Sequence, residues 1–288
     1  MLLSIVGAFC SSQNSPTHLT IECDYKDQKH HFGTLYTCVS KRVHVTDPNT
    51  IINAVRGTHQ SGKGDGDVEA IFFYNEGLQH IPQLQLDSIF PRLVAFRIEK
   101  TPIKTVGPEH FGTKTNFKFI HFDDNQIETV AQKTFYNMTN LEWLSIGGNR
   151  IRKLNDDSLR GLMNLKFFSA SRNQIEVLGS SLFRDNTRLE EIHFYNNKIR
   201  MVGWKLVRLI TGLKVARFDN NKCTNMILQN DSDISNKLTA EFSTKCAVDC
   251  QKTISATKKV VGSLKREEKK LKRQAKKIKR EQQGMKMN

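Results

Sequence analysis

The stretch "LEWLSIGGNRIRKL", residues 141–154, contains the pattern that decides the fold. It places apolar residues at its positions 1, 4, 6, 11 and 14, and an asparagine, Asn149, at position 9. Positions 4 and 6 alternate about position 5, which is typical of a short β-strand with one buried face. An asparagine just after such a strand can hydrogen-bond backbone groups that would otherwise be buried without partners.

The same pattern recurs along the chain at a fixed spacing. Units of 24 residues begin at Leu93, Phe117, Leu141, Leu165, Leu189 and Leu213, and an earlier unit begins at Val68. Position 9 is asparagine in five successive units, namely Asn125, Asn149, Asn173, Asn197 and Asn221. This is the pattern of the leucine-rich repeat. Because one unit cannot bury its apolar face alone, we expect an α/β-type solenoid, a horseshoe of about seven stacked units over residues 68–230.

The two ends of such a stack need caps, and the cysteines lie at those ends. Cys23 and Cys38 predict an N-terminal cap hairpin pinned by a disulfide within residues 13–67. At the other end, residues 231–250 form the predicted C-terminal cap. Cys246 or Cys250 can reach back to Cys223, most simply Cys246, which leaves Cys250 as a thiol for bonding a second chain.

The N-terminal residues 1–12, "MLLSIVGAFCSS", are predicted to be a signal peptide with cleavage near Cys10, although no Lys or Arg precedes the apolar run. The alternative is the start of a buried strand or helix. No later run approaches the roughly 18 apolar residues of a membrane span. We therefore expect an extracellular, secreted protein, with glycosylation sequons at Asn137 and Asn230.

The positive charge is concentrated in the tail, residues 251–288, which holds 14 Lys and Arg against three acids in a chain of net charge +15. A heptad recurs at Leu264, Leu271, Ile278 and Met285, which predicts a helical, coiled-coil tail. Its charge favours an acidic coiled-coil partner or an anionic polysaccharide. The alternative is a solvated single helix or disorder. The export signal disfavours nucleic acid as a partner.

The stretch "GTHQSGKGDGD", residues 57–67, matches a phosphate-binding loop except that Gly64 stands where a Ser or Thr would hold magnesium. The predicted strand follows the glycines instead of preceding them, so we expect a flexible, solvated connection. No catalytic motif is present, and we predict neither enzymatic activity nor a cofactor or metal site.

The strand positions that face away from the core carry the candidate binding residues, on the concave side of the horseshoe. These residues are Phe119, Trp143, Phe167, His121, Tyr195 and His193. Phe119, Trp143 and Phe167 predict an aromatic ridge over three units. Adjacent exposed aromatics are typical of protein interfaces, but they can equally pack only on each other across strands.

The chain resembles extracellular leucine-rich repeat proteins, most of all the secreted insect type that includes the mosquito leucine-rich immune proteins. The resemblance lies in the cap "CDY…GTLYTCVS", the 24-residue units, "NNKC" at the end of the array, and a terminal cysteine before a helical tail. The usual C-terminal cap has four cysteines and this one has three. The resemblance implies protein recognition outside the cell, in innate immunity, sometimes in disulfide-linked complexes. The alternative is a structural matrix protein that binds glycosaminoglycan through the tail.

Overall fold

The computed structural model describes residues 16–30, 33–41, 43–74, 77–112 and 115–247. The chain divides at residue 246 into two units, and the second, residues 247–288, lies almost wholly outside the described residues. The predicted signal peptide at 1–12, the thiol of Cys250 and the basic tail at 251–288 also lie outside them. Within the described residues, no helix is long and apolar enough to cross a membrane.

The elements are mostly short strands. In the N-terminal part these are β1 (His18–His30), β2 (Gly33–Lys41), β3 (His44–Val45), β4 (Ile51–Arg56), β5 (Ala70–Tyr74), β6 (Gly77–Leu78), β7 (Gln83–Leu84), β8 (Ala95–Glu99) and β9 (Thr105–Val106). Further along are β10 (Phe119–His121), β11 (Thr129–Val130), β12 (Trp143–Ser145), β13 (Phe167–Ser169), β14 (Val177–Leu178), β15 (Glu191–His193), β16 (Met201–Val202), β17 (Val215–Arg217), β18 (Ile227–Gln229) and the helix α1 (Ile234–Glu241).

One long sheet forms the concave side of the horseshoe. Among the described residues, twelve strands join it in the order β18-β17-β15-β13-β12-β10-β8-β5-β2-β1-β4-β7. The repeat strands from β5 to β17 pair in parallel, with Phe119 opposite Trp143 and Trp143 opposite Phe167. Equivalent positions of successive repeats lie opposite each other, so residues 24 apart in the sequence pair across neighbouring strands. The predicted solenoid is confirmed.

The core is the continuous stack that the repeat pattern predicts. Repeat positions 4 and 6 are buried from Ile71 to Phe218. The second anchor, position 19, is also buried in each unit that has one, as Phe111, Phe135, Leu159, Phe183 and Val207. Phenylalanines of neighbouring repeats touch edge to face, for example Phe96 and Phe122, whose ring centroids are 5.6 Å apart. Stacking therefore buries what a single unit would leave exposed.

The position-9 asparagines connect each repeat to the one before it. The Oδ1 atom of Asn149 accepts a hydrogen bond from the Ile127 N–H (2.9 Å), and its Nδ2 donates to the carbonyls of Phe122 (2.8 Å) and Ile146 (3.1 Å). Equivalent bonds run from Asn125 to Asn221. Each amide thus satisfies backbone groups of two repeats that no strand pairing reaches.

The N-terminal cap is a hairpin that also contains an additional repeat. Strands β1 and β2 pair antiparallel, and a disulfide joins Cys23 and Cys38. Strand β2 pairs in parallel with β5, which places Cys38 opposite Ile71, and Val45 lies opposite Leu78. Cys38 and Val45 therefore take positions 4 and 11 of a unit before Val68. Strands β4 and β7 extend the sheet beyond β1 and close this end of the core.

The connection at residues 57–67 is exposed or half-buried throughout, in agreement with the predicted solvated connection, and side-chain contacts hold it against the cap. His59 Nε2 lies 2.9 Å from Asp65 Oδ1, and the Tyr25 hydroxyl donates to the same oxygen (3.1 Å). The Tyr36 hydroxyl lies 3.1 Å from His59 Nδ1. Burial and the adjacent Asp65 carboxylate raise the pKa of Tyr25. Composition misses this arrangement because the partners lie 23 to 40 residues away.

The C-terminal cap covers the last repeat with a short strand and a helix. Strand β18 pairs antiparallel with β17, and a disulfide joins Cys223 and Cys246. Helix α1 buries Ile234 and Leu238, and the π-type turn after it buries Phe242, whose ring centroid is 5.1 Å from that of Phe218. These apolar side chains replace the contacts that a further repeat would make.

Candidate functional site

The concave face places the predicted aromatic residues side by side. Strands β10, β12 and β13 direct Phe119, Trp143 and Phe167 to the side of the sheet away from the core. The Phe119 and Trp143 ring centroids are 6.0 Å apart and the Trp143 and Phe167 centroids 3.5 Å apart, with interplanar angles of 21° and 5°. The three rings form a stacked ridge, as the register requires.

The ridge is mostly packed and only partly open to solvent. Phe119 is 3% exposed and Phe167 9% exposed, whereas Trp143 keeps intermediate exposure. The hairpin β1–β2 covers the N-terminal end of the ridge, because the His30 ring lies 5.7 Å from that of Phe119 and Leu35 joins the same apolar cluster. Packing across strands therefore accounts for Phe119 and most of Phe167, and Trp143 offers the accessible aromatic surface.

A row of hydrogen-bonded polar groups runs beside the ridge. Glu99 Oε1 lies 2.6 Å from both Arg97 Nη2 and His121 Nε2. Asp123 lies 3.5 Å from the same His121 nitrogen and accepts a hydrogen bond from the Ser145 hydroxyl (2.7 Å). Burial raises the pKa of Glu99, but the hydrogen bonds from His121 and Arg97 together lower it by more than burial raises it. The pKa of Glu99 is therefore below its ordinary value. This part of the surface is therefore a fixed, charged network.

The C-terminal part of the concave face combines an aromatic residue with a fixed cation. The Arg217 guanidinium lies 4.4 Å from the Tyr195 ring centroid and donates two hydrogen bonds to Asp219, at 3.2 and 3.1 Å. His193 touches the Phe167 ring edge to face at 5.1 Å. Burial, and then the charge of Arg217, lower the pKa of His193 against the opposing effect of Asp219, so this imidazole is neutral at physiological pH.

The concave face is acidic in a basic chain. In the repeats from Leu93 onward, positions 3, 5 and 7 hold four acids and two cations. The acids are Glu99, Asp123, Glu191 and Asp219, and the cations are Arg97 and Arg217. With histidines left out of the count, as in the value of +15 for the whole chain, these positions sum to a net charge of −2.

Sequence reasoning located the ridge but missed two of its determinants. The position-7 acids follow the strands at a fixed offset, so the repeat alignment contains that signal. The covering contacts from His30 and Leu35 have no periodic signal.

The sequon residues Asn137 and Asn230 are both exposed and lie in left-handed backbone, with φ of 68° and 54° respectively. Among the described side chains, no group of three or more His, Cys, Asp or Glu could hold a metal ion.

Comparisons with known proteins support the fold. A family model described as "Leucine rich repeat" matches residues 115–175. No curated protein sequence matches the chain significantly. The solved APL1 leucine-rich repeat domain is 19% identical with a TM-score of 0.55, and the match covers 70% of this chain and 48% of that one. At this identity the similarity shows the fold alone.

Two further solved structures are similar at lower TM-scores. A chain of the Toll–Spatzle complex from Drosophila is 17% identical with a TM-score of 0.49, covering 70% of this chain and 31% of that one. An internalin from Listeria monocytogenes is 18% identical with a TM-score of 0.43, covering 69% of this chain and 54% of that one. The protein thus spans between about a third and about half of the length of these structures.

Proposed function

We propose that the protein is a secreted leucine-rich repeat protein that binds another protein through its concave face. The surface from Trp143 to Asp219 carries this proposal. It presents a partly exposed indole, Tyr195 and the stacked Arg217, and Trp, Tyr and Arg are the residues that dominate binding energy at protein interfaces. Their neighbours already hold them in place, so little conformational entropy is lost on binding.

The other proposed contact residues have unequal shares in that surface. His121 and His193 are partly exposed beside the ridge, and their rings can contact a ligand directly. Phe119 and Phe167 act mainly as supports that orient Trp143, because their own rings are nearly covered. We place the centre of the interface on Trp143 and Tyr195.

The extracellular location and the immune role are parts of the same proposal. Two disulfides at the ends of the solenoid are typical of an oxidising compartment. The apolar residues 1–12 supply the export signal, and the sequons at Asn137 and Asn230 would then be glycosylated. The immune role depends on the resemblance of the cap cysteines, the 24-residue units and the closing "NNKC" motif to secreted insect proteins.

The test is a quantitative capture experiment in extracellular fluid with four forms of the full chain. Immobilised wild type is compared with Trp143→Ala, with Tyr195→Ala, and with Tyr136→Ala, which removes an exposed ring outside the repeat strands. Mass spectrometry should find a protein that wild type and Tyr136→Ala retain equally. Trp143→Ala should weaken its binding about 30-fold, the affinity equivalent of about 2 kcal/mol. A partner that both concave-face variants retain at wild-type affinity would place the interface elsewhere.

The tail supports a second candidate function, a structural matrix protein. Its 14 Lys and Arg against three acids favour an anionic polysaccharide or an acidic coiled-coil partner, and Cys250 could then link the two chains. If the tail is the main anionic contact, deleting residues 251–288 should remove most of the retention on heparin, and strong retention by the deleted form would contradict this. Cys250→Ser should remove a covalent complex on non-reducing gels, and a monomeric wild type on such gels would contradict the linkage.

A further inference from the structure

The side of the repeats just beyond the concave strands is strongly basic. In residues 148–154, 172–178, 196–202 and 220–226, which follow strands β12, β13, β15 and β17, there are seven cations and one acid, Glu176. The exposed cations are Arg150, Arg152, Lys153, Arg172, Lys198, Arg200 and Lys222, and we call them the basic flank. The net charge of these repeats does not reveal this cluster, because acids elsewhere in the same repeats cancel it.

Backbone hydrogen bonds between repeats align five of these seven cations in two columns. The N–H of Gln174 donates to Ile151 O (2.9 Å), that of Lys198 to Ile175 O (3.0 Å), and that of Lys222 to Ile199 O (2.9 Å). Positions 150, 174, 198 and 222 therefore form one column along the solenoid. Residues 152, 176 and 200 form a second column beside it. Successive strands are about 4.8 Å apart, so the cations line a linear path.

Most of this charge is not neutralised within the fold. Arg200 pairs with Glu176 (3.1 Å) and Arg172 with Asp124 (3.0 Å). The other five cations, Arg150, Arg152, Lys153, Lys198 and Lys222, form no ion pair with a described carboxylate. The positive potential of these cations acts on Glu176. The hydrogen bond from Arg200 lowers the pKa of Glu176 most, and the charges of Lys222 and Lys198 lower it further.

The opposite end of the same strands provides a contrast. There, position 2 alternates in charge through five repeats, as Lys118, Glu142, Lys166, Glu190 and Lys214. Lys166 pairs with Glu142 and Lys214 with Glu190, both at 2.6 Å. The repeat can therefore neutralise a charged column at this spacing. The basic flank does not do so, which points to an anionic group supplied by a ligand.

The shape and composition of the flank narrow the class of ligand. Two surface concavities of about 510 and 320 Å³ lie there and share Arg152. Asp156 and Glu176 also line the larger one and Glu128 the smaller one, so the anionic ligand is assigned to the columns of cations and not to the concavities themselves. Neither is lined by an aromatic ring, so bases of a single-stranded nucleic acid would find no stacking platform. Among the described residues, no large apolar side chain is exposed in these segments. The flank therefore offers no apolar group that could insert into a lipid bilayer. A linear chain with sulfate or carboxylate groups at short intervals fits both the charge and the path.

We propose that the basic flank binds a sulfated, carboxylated polysaccharide laid along the solenoid axis. Its lysines and arginines would donate charge-assisted hydrogen bonds to the anionic groups of the polymer. This site is separate from both the concave face and the tail. The protein would then engage a protein ligand on its acidic face while a polysaccharide occupies the adjacent basic one.

The first test compares two charge-matched variants of the full chain, both with the tail intact. One changes Arg150, Lys153, Lys198 and Lys222 to Gln, and the other changes Lys118, Lys166, Arg188 and Lys214 to Gln. Affinity for a heparin oligosaccharide at physiological salt should fall about tenfold in the first and by less than about twofold in the second. Equal losses in the two variants would overturn the proposal, since they would show a response to net charge alone.

The second test removes the contribution of the tail by observing individual lysines. Acylation of wild-type protein with and without a heparin hexasaccharide is mapped by mass spectrometry. Lys153, Lys198 and Lys222 should be protected, whereas Lys118, Lys166 and Lys214 should react as before. Protection confined to lysines of 251–288 would overturn the site. Equal protection by single-stranded DNA of matched charge, or by anionic vesicles, would overturn the assignment to polysaccharide.

Discussion

The central repeats, residues 117–221, and the N-terminal region, residues 16–101, solve the same problem by different means. In the central repeats, one asparagine per unit satisfies the backbone of two neighbours. In the N-terminal region Thr101 takes that position in one unit, and a disulfide, a hairpin and the hydrogen-bonded loop at 57–67 supply the other contacts. The central repeats are therefore stabilised by the same contacts in every unit, whereas the N-terminal region is stabilised by individual tertiary contacts.

This difference also separates the surfaces available to ligands. The hairpin that closes the N-terminal end also covers Phe119, so the concave face is open mainly from Trp143 onward. The basic flank begins at Arg150 and thus lies along the same repeats. The regular part of the chain carries the candidate surfaces, and the irregular part holds its end in place.

The largest expected effect comes from removing one asparagine of the central repeats. Asn149→Ala should lower the free energy of unfolding by about 4 kcal/mol, because it leaves the Ile127 N–H buried without a partner and removes the bonds that Asn149 Nδ2 donates to the carbonyls of Phe122 and Ile146. Thr101→Ala, at the equivalent position, should cost only about 1 kcal/mol, since it removes one shared hydrogen bond to Asn125. Urea denaturation measures both. Equal losses would mean that the two regions do not differ in this way.

Opening the N-terminal disulfide should have the next largest effect, and a local one. Cys23→Ser with Cys38→Ser frees a loop of 15 residues, for which the chain-entropy model gives about 3 kcal/mol. Hydrogen exchange should show lost protection in β1, β2 and β4, with β12 and β13 still protected. The matched control, Cys223→Ser with Cys246→Ser, should instead expose β18 and α1. Uniform loss in both variants would show that the ends are not separate units of stability.

The sequence predicted the fold because the pattern at positions 4, 6, 9 and 11 is strict from Phe117 to Asn221. It failed where the interval changes. Leu35 and Val68 each occupy position 1 of a unit, but they are 33 residues apart instead of 24. The 24-residue period therefore does not predict the unit that contains Cys38 and Val45. The loop at 57–67 occupies the difference, and its polar composition hides contacts with Tyr25 and Tyr36.

The candidate site was predictable in position but not in exposure. Strand alternation alone places Phe119, Trp143 and Phe167 on the concave face. Which of these rings remains accessible depends on His30 and Leu35, whose positions follow from the length and bend of a hairpin. No local pattern encodes that contact. The basic flank is not predicted from the charge distribution, because its cations form a continuous surface only when the register of the repeats places them in columns.

The smallest expected effect tests whether the two regions share a backbone rule. Position 8 is left-handed in every repeat from Leu93 onward, with φ of 54° at Lys100, 60° at Gly148 and 55° at Asn196. Asparagine and glycine tolerate this conformation, whereas a lysine there is strained by about 1 kcal/mol. Lys100→Asn relieves the strain but loses an exposed contact of Lys100 Nζ with the Tyr74 hydroxyl (2.6 Å).

Such an exposed contact contributes less than the backbone strain costs, so Lys100→Asn should raise the urea midpoint slightly. The reverse change in the central repeats, Asn196→Lys, should lower the free energy of unfolding by about 1 kcal/mol or more, because it adds strain and removes the hydrogen bond from Asn220 (2.7 Å). Urea midpoints at constant slope measure both changes. If Lys100→Asn destabilised the protein, the contact with Tyr74 would contribute more to stability than the backbone strain removes. The stability of the N-terminal repeat would then depend on its tertiary contacts at a position where that of the central repeats depends on backbone conformation.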